Sequence, residues 1–186
     1  MCDSNDMLME DNSIFMTDAL AVDTQETLHY LSDKWTLWAH LPHDIDWSLK
    51  SYKVIAHIES IEQGIAINDL IPDKMVKNCM LFVMRDGISP IWEDPANVNG
   101  GCFSYKIANK HVHEAWNTLF YSILGESASK NKKYVDNMNG ITISPKKNFC
   151  ILKIWMKSCE YQNANELLLS KFGDDACIFK RHNNNS

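Results

Sequence analysis

Two periods alternate along this chain. From Asp33 on, apolar and polar residues exchange at every second position, with Trp35, Leu37, Ala39 and Leu41 set against Lys34, Thr36, Trp38 and His40. Successive side chains of a strand point to opposite faces, so the run predicts a strand with one buried face and, at Trp38, an aromatic on the second face as well. Pro42 ends it. Residues 43–51, HDIDWSLKS, show no apolar period and read as a polar loop carrying Trp47. Residues 52–59 read as a second strand. Ser60 followed by Gln63 is a capping-box signature, which predicts a helix to about Leu70 with Pro72 just past its end.

Residues 79–84 and 102–107 are further apolar, strand-like runs. The period then becomes helical: Val112, Ala115, Trp116, Leu119, Phe120, Ile123 and Leu124 make one stripe, capped by Asn109 and stopped by Gly125. Residues 126–137 read as a polar loop. Residues 140–144 and 149–157 predict a hairpin around Ser144-Pro145-Lys146-Lys147-Asn148. Asn163 with Glu166 opens a third helix to about Lys171, and residues 176–179 form a last short strand. Strands joined by loops and single helices, with no regular βαβ rhythm, predict an α+β fold: a curved antiparallel sheet with helices on one face. Three segments are expected: an acidic, disordered tail over residues 1–26, one domain over 27–180, and a frayed end over 181–186. Within the tail, Ile14-Phe15-Met16 is a lone apolar patch.

Composition narrows the function. A length of 186 residues suits one domain with a full core. A net charge of −6 speaks against gripping nucleic acid through its phosphates, which needs a lysine- and arginine-rich face. Recognition of a small feature of a nucleic acid stays open; DNA binding is not expected. No apolar run approaches a membrane span, the N-terminus has neither the basic start nor the apolar centre of a signal peptide, and Cys2 stands where myristoylation requires glycine. The six cysteines form no C-x-x-C pair, which suits a reduced, cytoplasmic setting.

Chemistry concentrates between Met84 and Phe103. Asp86-Gly87 signals a turn, Trp92-Glu93-Asp94 follows, and an Asn/Gly-rich stretch leads back to a strand. His40-x-x-His43 and His111-x-His113 lack metal-site spacing and read as surface histidines, so no metal or cofactor is expected. Asp86, Glu93 and Asp94 offer carboxylates to a hydrolase, with no opposing acidic cluster. Gly100-Gly101 is a turn and not a phosphate cradle. The tryptophans say more: Trp47 and Trp92 both sit in loops, and two indoles can sandwich a planar ring. A cationic ring adds about 2 kcal/mol or more of attraction once desolvated. A carboxylate between them can accept both edge hydrogens of guanine, worth roughly 1–3 kcal/mol of discrimination. Guanine methylated at N7 is planar, cationic and keeps those donors.

At this point the residues resemble a family. His29-Tyr30-Leu31-Ser32-Asp33-Lys34-Trp35-Thr36-Leu37-Trp38 resembles the H-P-L-x-x-x-W-x-L-W opening of translation initiation factor 4E, the mRNA cap-binding family. Asp86-Gly87-Ile88-Ser89-Pro90-Ile91-Trp92-Glu93-Asp94 with Asn99-Gly100-Gly101 resembles its D-G-I-x-P-x-W-E-D…GG block. Trp116…Gly125-Glu126 and Ile154-Trp155 match later landmarks, so the likeness runs from about His29 to Phe179. It implies a curved antiparallel sheet backed by three helices on its convex face, a cap slot on the concave face, and no catalysis. It further implies that Trp47 and Trp92 stack on 7-methylguanine, Glu93 binds the base edge, and Trp155 touches the N7 methyl group. Trp35, Trp38 and Trp116 are left as structural.

Departures from the pattern shape the remaining expectations. The family carries a phosphate-binding basic residue after Gly-Gly, where this chain has Cys102. Lys146 or Lys147 in the hairpin, and Lys153, are the remaining cations. On the convex face the family's exposed Trp falls at Ile65, next to Ile61, and its H-P-L proline at Tyr30. Its Leu-Glu…Leu after the helix tryptophan becomes Asn117-Thr118…Tyr121. Loss of an aromatic anchor removes a hot spot worth at least ~2 kcal/mol. The expected partners are therefore capped mRNA and a divergent scaffold resembling initiation factor 4G. The alternative is a translational regulator with the same fold and weak cap binding.

Overall fold

The structure, a computed structural model, describes residues 28–168 and 177–183. Strands β1 (Tyr30–His40) and β2 (Tyr52–Ser60) lead into helices α1 (Ile61–Leu70) and α2 (Asp73–Asn78). Strands β3 (Met80–Arg85) and β4 (Gly101–Ala108) precede α3 (Val112–Leu124) and the short α4 (Lys132–Asp136). Then come β5 (Met138–Pro145), β6 (Phe149–Met156) and β7 (Ile178–Arg181). The seven strands form one curved, open sheet in the order β2-β1-β3-β5-β6-β4-β7, antiparallel at each pairing.

Alternation divides the sheet into two unlike faces. Trp35, Leu37 and Ala39 of β1, with Leu81, Val83, Phe103, Ile141 and Ile154, meet the apolar stripe of α3 in the main core. Residues one step out of register, Trp38, Phe82, Met84 and Trp155, form a second, smaller cluster on the face without helices. α1 begins at the predicted cap: Ser60 Oγ accepts from Gln63 N at 3.2 Å, while the Gln63 side chain reaches one residue further back than a capping box requires and accepts from Glu59 N at 2.9 Å. Buried Trp116 donates its indole N–H to Asn68 Oδ1 at 3.1 Å, tying α3 to α1.

Several elements differ from expectation. α2 and α4 are too short to show a period, and α4 lies in the segment read as loop, held by buried Tyr134 and Val135. Asn109 does not cap α3: residues Asn109–His111 form a 3-10 turn, and the helix starts at Val112 without a side-chain cap. Of the helix expected from Asn163, the described part is a 3-10 turn, Ala164–Glu166, with Asn163 Oδ1 accepting from Asn165 N. The expected tail over 1–26, with Ile14-Phe15-Met16, and the stretch 169–176 lie outside the described residues. The expected fray over 181–186 is corrected at its start, where Arg181 pairs with Gly101 in the sheet and His182 N donates to Gly100 O at 3.0 Å; residues 184–186 lie outside the described residues.

The loop joining β3 to β4, residues 86–100, is fastened by one buried side chain. Asn97 Nδ2 donates to Ser89 O at 3.0 Å and Ile91 O at 2.8 Å, and its Oδ1 accepts from Asn139 Nδ2 of β5 at 3.0 Å. Its backbone oxygen accepts from His182 Nδ1 at 2.8 Å, which puts the proton of that ring on Nδ1. Gly100 and Gly101 allow the exit from the loop. A Cβ on Gly100 would run into Met156 O, and one on Gly101 into the Phe179 ring and Lys180 O.

Two outcomes follow from these ties. Asn97→Ala empties a buried site and leaves two half-buried loop carbonyls without their donor, so a urea-unfolding series should show a loss of about 2 kcal/mol. Burial, reinforced by the charge of Lys153, pushes the His182 imidazole below its ordinary pKa, while the Asn97 bond pulls the other way. The folded chain then binds fewer protons than the unfolded chain just below pH 6.5, so this contribution to stability is present above pH 6.5 and lost as pH falls through the window beneath it. His182→Gln should flatten the fall in unfolding midpoint between about pH 7 and pH 5 relative to the unmodified chain.

Candidate functional site

The helix-free face has an apolar floor: Phe82, Met84 and Trp155, with Trp38, Tyr52, Met80 and Ile88 against them. Trp155 is nearly buried, and its indole N–H donates to Thr142 Oγ1 at 2.7 Å on the neighbouring strand. The His182 ring lies 4.8 Å from it, tilted by 55°. An indole so clamped can offer an edge to a ligand but cannot swing over one.

Trp47 rises from the loop between β1 and β2 at 58% exposure. One indole face lies parallel to the imidazole of His40, with centroids 4.4 Å apart and 2° between planes. His40 is buried and donates from Nε2 to Asp46 O at 2.8 Å, so the last residues of β1 hold the loop directly. Asp46 in turn accepts from the backbone and hydroxyl of Ser48, at 2.8 and 2.9 Å, and these bonds draw its carboxyl below the usual range. The reading of His40 as a surface histidine is corrected: it is a structural prop beneath Trp47. Exposed His43 does match that reading, with a left-handed φ of 72°.

Trp92 and Glu93 sit on the 86–100 loop, both exposed, Trp92 at 49%. The loop leaves the far end of β3 and turns back across the open face, where Ile88 packs on the apolar floor. Its three acids have separate fates. Asp86 accepts from Thr36 Oγ1 at 3.3 Å. Asp94 is consumed by the loop, its two oxygens accepting from Ser89 N at 2.8 Å and Ala96 N at 2.9 Å. Glu93 alone makes no such bond. Its charge reaches the half-buried Tyr52 phenol, whose pKa is raised first by burial and then by that carboxylate. Tyr52 packs edge-on against His40 at 5.0 Å and Phe82 at 5.3 Å. Trp47 and Glu93, from loops far apart in sequence, thus flank one aromatic column.

The basic residues divide by position. Lys146 and Lys147 are exposed at the tip of the β5–β6 hairpin. Lys153 is half-buried on β6, two residues from Trp155 and so on the same face. Cys102 pairs with Trp155 across β4 and β6 and is buried. Among the described residues no group of His, Cys, Asp or Glu could hold a metal ion, and no helix is long and apolar enough to cross a membrane.

On the opposite, helix-bearing face, Tyr30, Ile61, Ile65 and Tyr121 are exposed, Tyr30 at 74%. Asn117 and Thr118 are half-buried beside them. Asn68 Nδ2 donates to Asn117 Oδ1 and Tyr121 OH, both at 3.0 Å, so the polar groups that replace apolar ones here are already partnered.

Sequence reasoning misread His40 and passed over Asn97, Asn139 and His182. Only His40 left a signal: the alternation of β1 puts it on the same face as Thr36 and Trp38. The asparagines sit in turn-rich or apolar stretches and act across 42 residues.

Comparison with known proteins closes the question of kinship. A family model described as eukaryotic initiation factor 4E matches residues 30–183. The initiation factor 4E homolog of Acanthamoeba polyphaga mimivirus is 28% identical over 160 residues, covering 76% of this chain and 58% of its own length. Initiation factor 4E of Candida glabrata is 28% identical over 142 residues, covering 73% and 66% respectively. This chain thus spans about three-fifths to two-thirds of these relatives. Among solved structures, C. elegans eIF4E-3 in complex with the 4E-binding protein Mextli and cap analog superposes with a TM-score of 0.73 at 20% identity, covering 84% of this chain and 94% of that one. Schistosome eIF4E complexed with m7GpppG and 4E-BP gives a TM-score of 0.69 at 22% identity, covering 83% and 89%. Identities that low speak for the fold alone, but the family model spans nearly the whole described chain, from the first strand past the last, and on that match the chain belongs to the eukaryotic initiation factor 4E family.

Proposed function

We propose that this chain is a non-enzymatic, cytoplasmic binder of the 7-methylguanosine 5′ cap of mRNA that acts in translation initiation. In this reading Trp47 and Trp92 stack on the methylated base, Glu93 accepts from its edge, and Trp155 contacts the N7 methyl. Lys146, Lys147 and Lys153 are the cations available to the phosphates. The observation that carries it is the exposure of both loop indoles, with Glu93 the one acid of its loop left without a hydrogen bond. That chemistry fits a flat cation with two edge donors, and the solved relatives bound to cap analogs accord with it.

The partner is proposed to be a divergent scaffold of the 4G type, docking on Tyr30, Ile61, Ile65, Asn117, Thr118 and Tyr121. Ile65 offers an aliphatic contact where an aromatic anchor is missing, so the docking helix must find its grip elsewhere. One observation favours the second reading, a regulator with weak cap binding: the buried thiol of Cys102, which cannot hold phosphate by charge.

Intrinsic tryptophan fluorescence titrated with 7-methyl-GTP and with GTP tests the reading. Strong quenching by the methylated nucleotide alone is expected; equal responses would leave the regulator reading in front. Trp92→Ala should remove most of the affinity, and Glu93→Ala the preference for guanine over other methylated bases. Each loss should be roughly 1–3 kcal/mol, with thermal stability unchanged because both residues are exposed. On the other face, a Y-x-x-x-x-L-φ peptide should bind poorly in a pull-down, and robust capture would sink the divergent-partner proposal.

A further inference from the structure

The base has a complete set of contacts in the proposed function, while the phosphates have the weakest one. Phosphate oxygens need cations within reach of the stacked base, projecting from the same face as Trp155. The register of the sheet says which lysines meet that condition. Trp155 of β6 pairs with Cys102 of β4, and Cys102 pairs on its other side with Lys180 of β7. Lys153 pairs with Ser104, the next residue of β4 on that face. Phe179 packs against Phe103 in the core, so its neighbour Lys180 faces the other way, onto the open side.

With strands about 4.8 Å apart and about 3.4 Å per residue, Lys153 lies roughly 7 Å from Trp155 along its strand. Lys180 lies roughly 10 Å from it across two strands. The hairpin tip begins beyond Phe149, at least about 20 Å along β6. Lys153 and Lys180 straddle β4 diagonally, about 12 Å apart at the backbone, with the half-buried Ser104 hydroxyl between them. Two extended lysine side chains can converge over such a gap. Neither lysine is paired with a carboxylate among the described residues.

We propose that Lys180 and Lys153, with Ser104 between them, form the polyphosphate subsite, so that β7 supplies the cation that Cys102 does not. The charge is moved one strand outward along a single cross-strand row, not lost. This inference deepens the cap-binding reading and rests on it for the position of the base. It adds a determinant that discriminates a nucleotide with a phosphate chain from a bare methylated nucleoside.

The test compares 7-methylguanosine, 7-methyl-GTP and inorganic tripolyphosphate on the full chain. Lys180→Ala should weaken 7-methyl-GTP roughly three- to tenfold, as expected for an exposed charge-assisted contact, and leave 7-methylguanosine unchanged. The slope of log affinity against log salt should drop by about one, and Lys180→Arg should restore both quantities. Lys153→Ala should act in the same direction. Tripolyphosphate carries no base, so it reads the row by itself: it should perturb the backbone amide resonances of residues 102–104, 153 and 180 in the unmodified chain and far less in Lys180→Ala. Methyl-selective binding that survives Lys180→Ala and Lys153→Ala but falls with Lys146→Ala or Lys147→Ala overturns the subsite and keeps the base reading. Tripolyphosphate binding without any preference for the methylated base keeps the row and overturns the base reading. A chain that binds 7-methyl-GTP no better than the nucleoside overturns the subsite outright.

Discussion

The open face depends on the buried amide of Asn97. A side-chain amide out of reach of water is tolerated only when its donors and acceptor are all matched, and here they are. Both amide hydrogens go to carbonyls of the loop, and the oxygen takes a hydrogen from Asn139 on β5. The backbone oxygen holds His182, which lies against Trp155. One residue thus fixes the loop to the sheet, the sheet to the chain end, and the chain end to the floor of the site. Displacing the loop would orphan several buried polar groups at once. Trp92 and Glu93 are thus carried on a braced loop.

Adjacent acids in this loop show how environment divides identical chemistry. Asp94 has a short side chain whose two oxygens fold back onto backbone N–H groups, so its charge is spent on shaping the turn. Glu93 takes no part in that cage, and its charge is felt by the Tyr52 phenol. The net charge of −6 likewise says little about local potential. It speaks against a general grip on nucleic acid, yet among the described residues Lys153 and Lys180 have no carboxylate partner. Whole-chain charge governs long-range attraction, while the local arrangement of side chains governs what happens at contact.

Much of this was legible in the residues, and what was not has physical reasons. Strands with one buried face announce themselves by alternation, and α1 and α3 by a capping box and an apolar stripe, so the fold class and Trp35 and Trp116 as core residues could be read. Helices of five or six residues have no period to show, which hid α2 and α4. Asn109 has the right chemistry for a cap, but the chain makes a 3-10 turn first. The candidate site residues stood out as unusual ones, loop tryptophans beside a carboxylate, and all three are exposed in the structure. Its supports were less so: Asn97 and His182 acquire their roles only when the order β3-β5-β6-β4-β7 joins distant segments in one sheet, and alternation gave only the face of His40 and not its contact with Trp47. No local pattern encodes that order.

The helix-bearing face shows a different economy of hydrogen bonds. The Trp116 indole can only donate, so Asn68 must offer it the amide oxygen and turn its NH₂ outward. That NH₂ donates to Asn117 Oδ1, which forces the Asn117 NH₂ toward His113 Nε2 at 3.1 Å. His113 must then accept there and donate from Nδ1 to Asp73 at 2.6 Å. A single donor in the core therefore sets the direction of a chain of bonds that runs out to α2. Asn117 is polar where the family pattern has an apolar residue, but its amide is already satisfied from within. A partner approaching this face meets the ring of Tyr121 and the side chains of Ile61 and Ile65 with little free polar capacity beneath them. The substitution of polar for apolar residues there changes shape and internal bonding more than it changes wetness, because the new polar groups bond to one another and not to water.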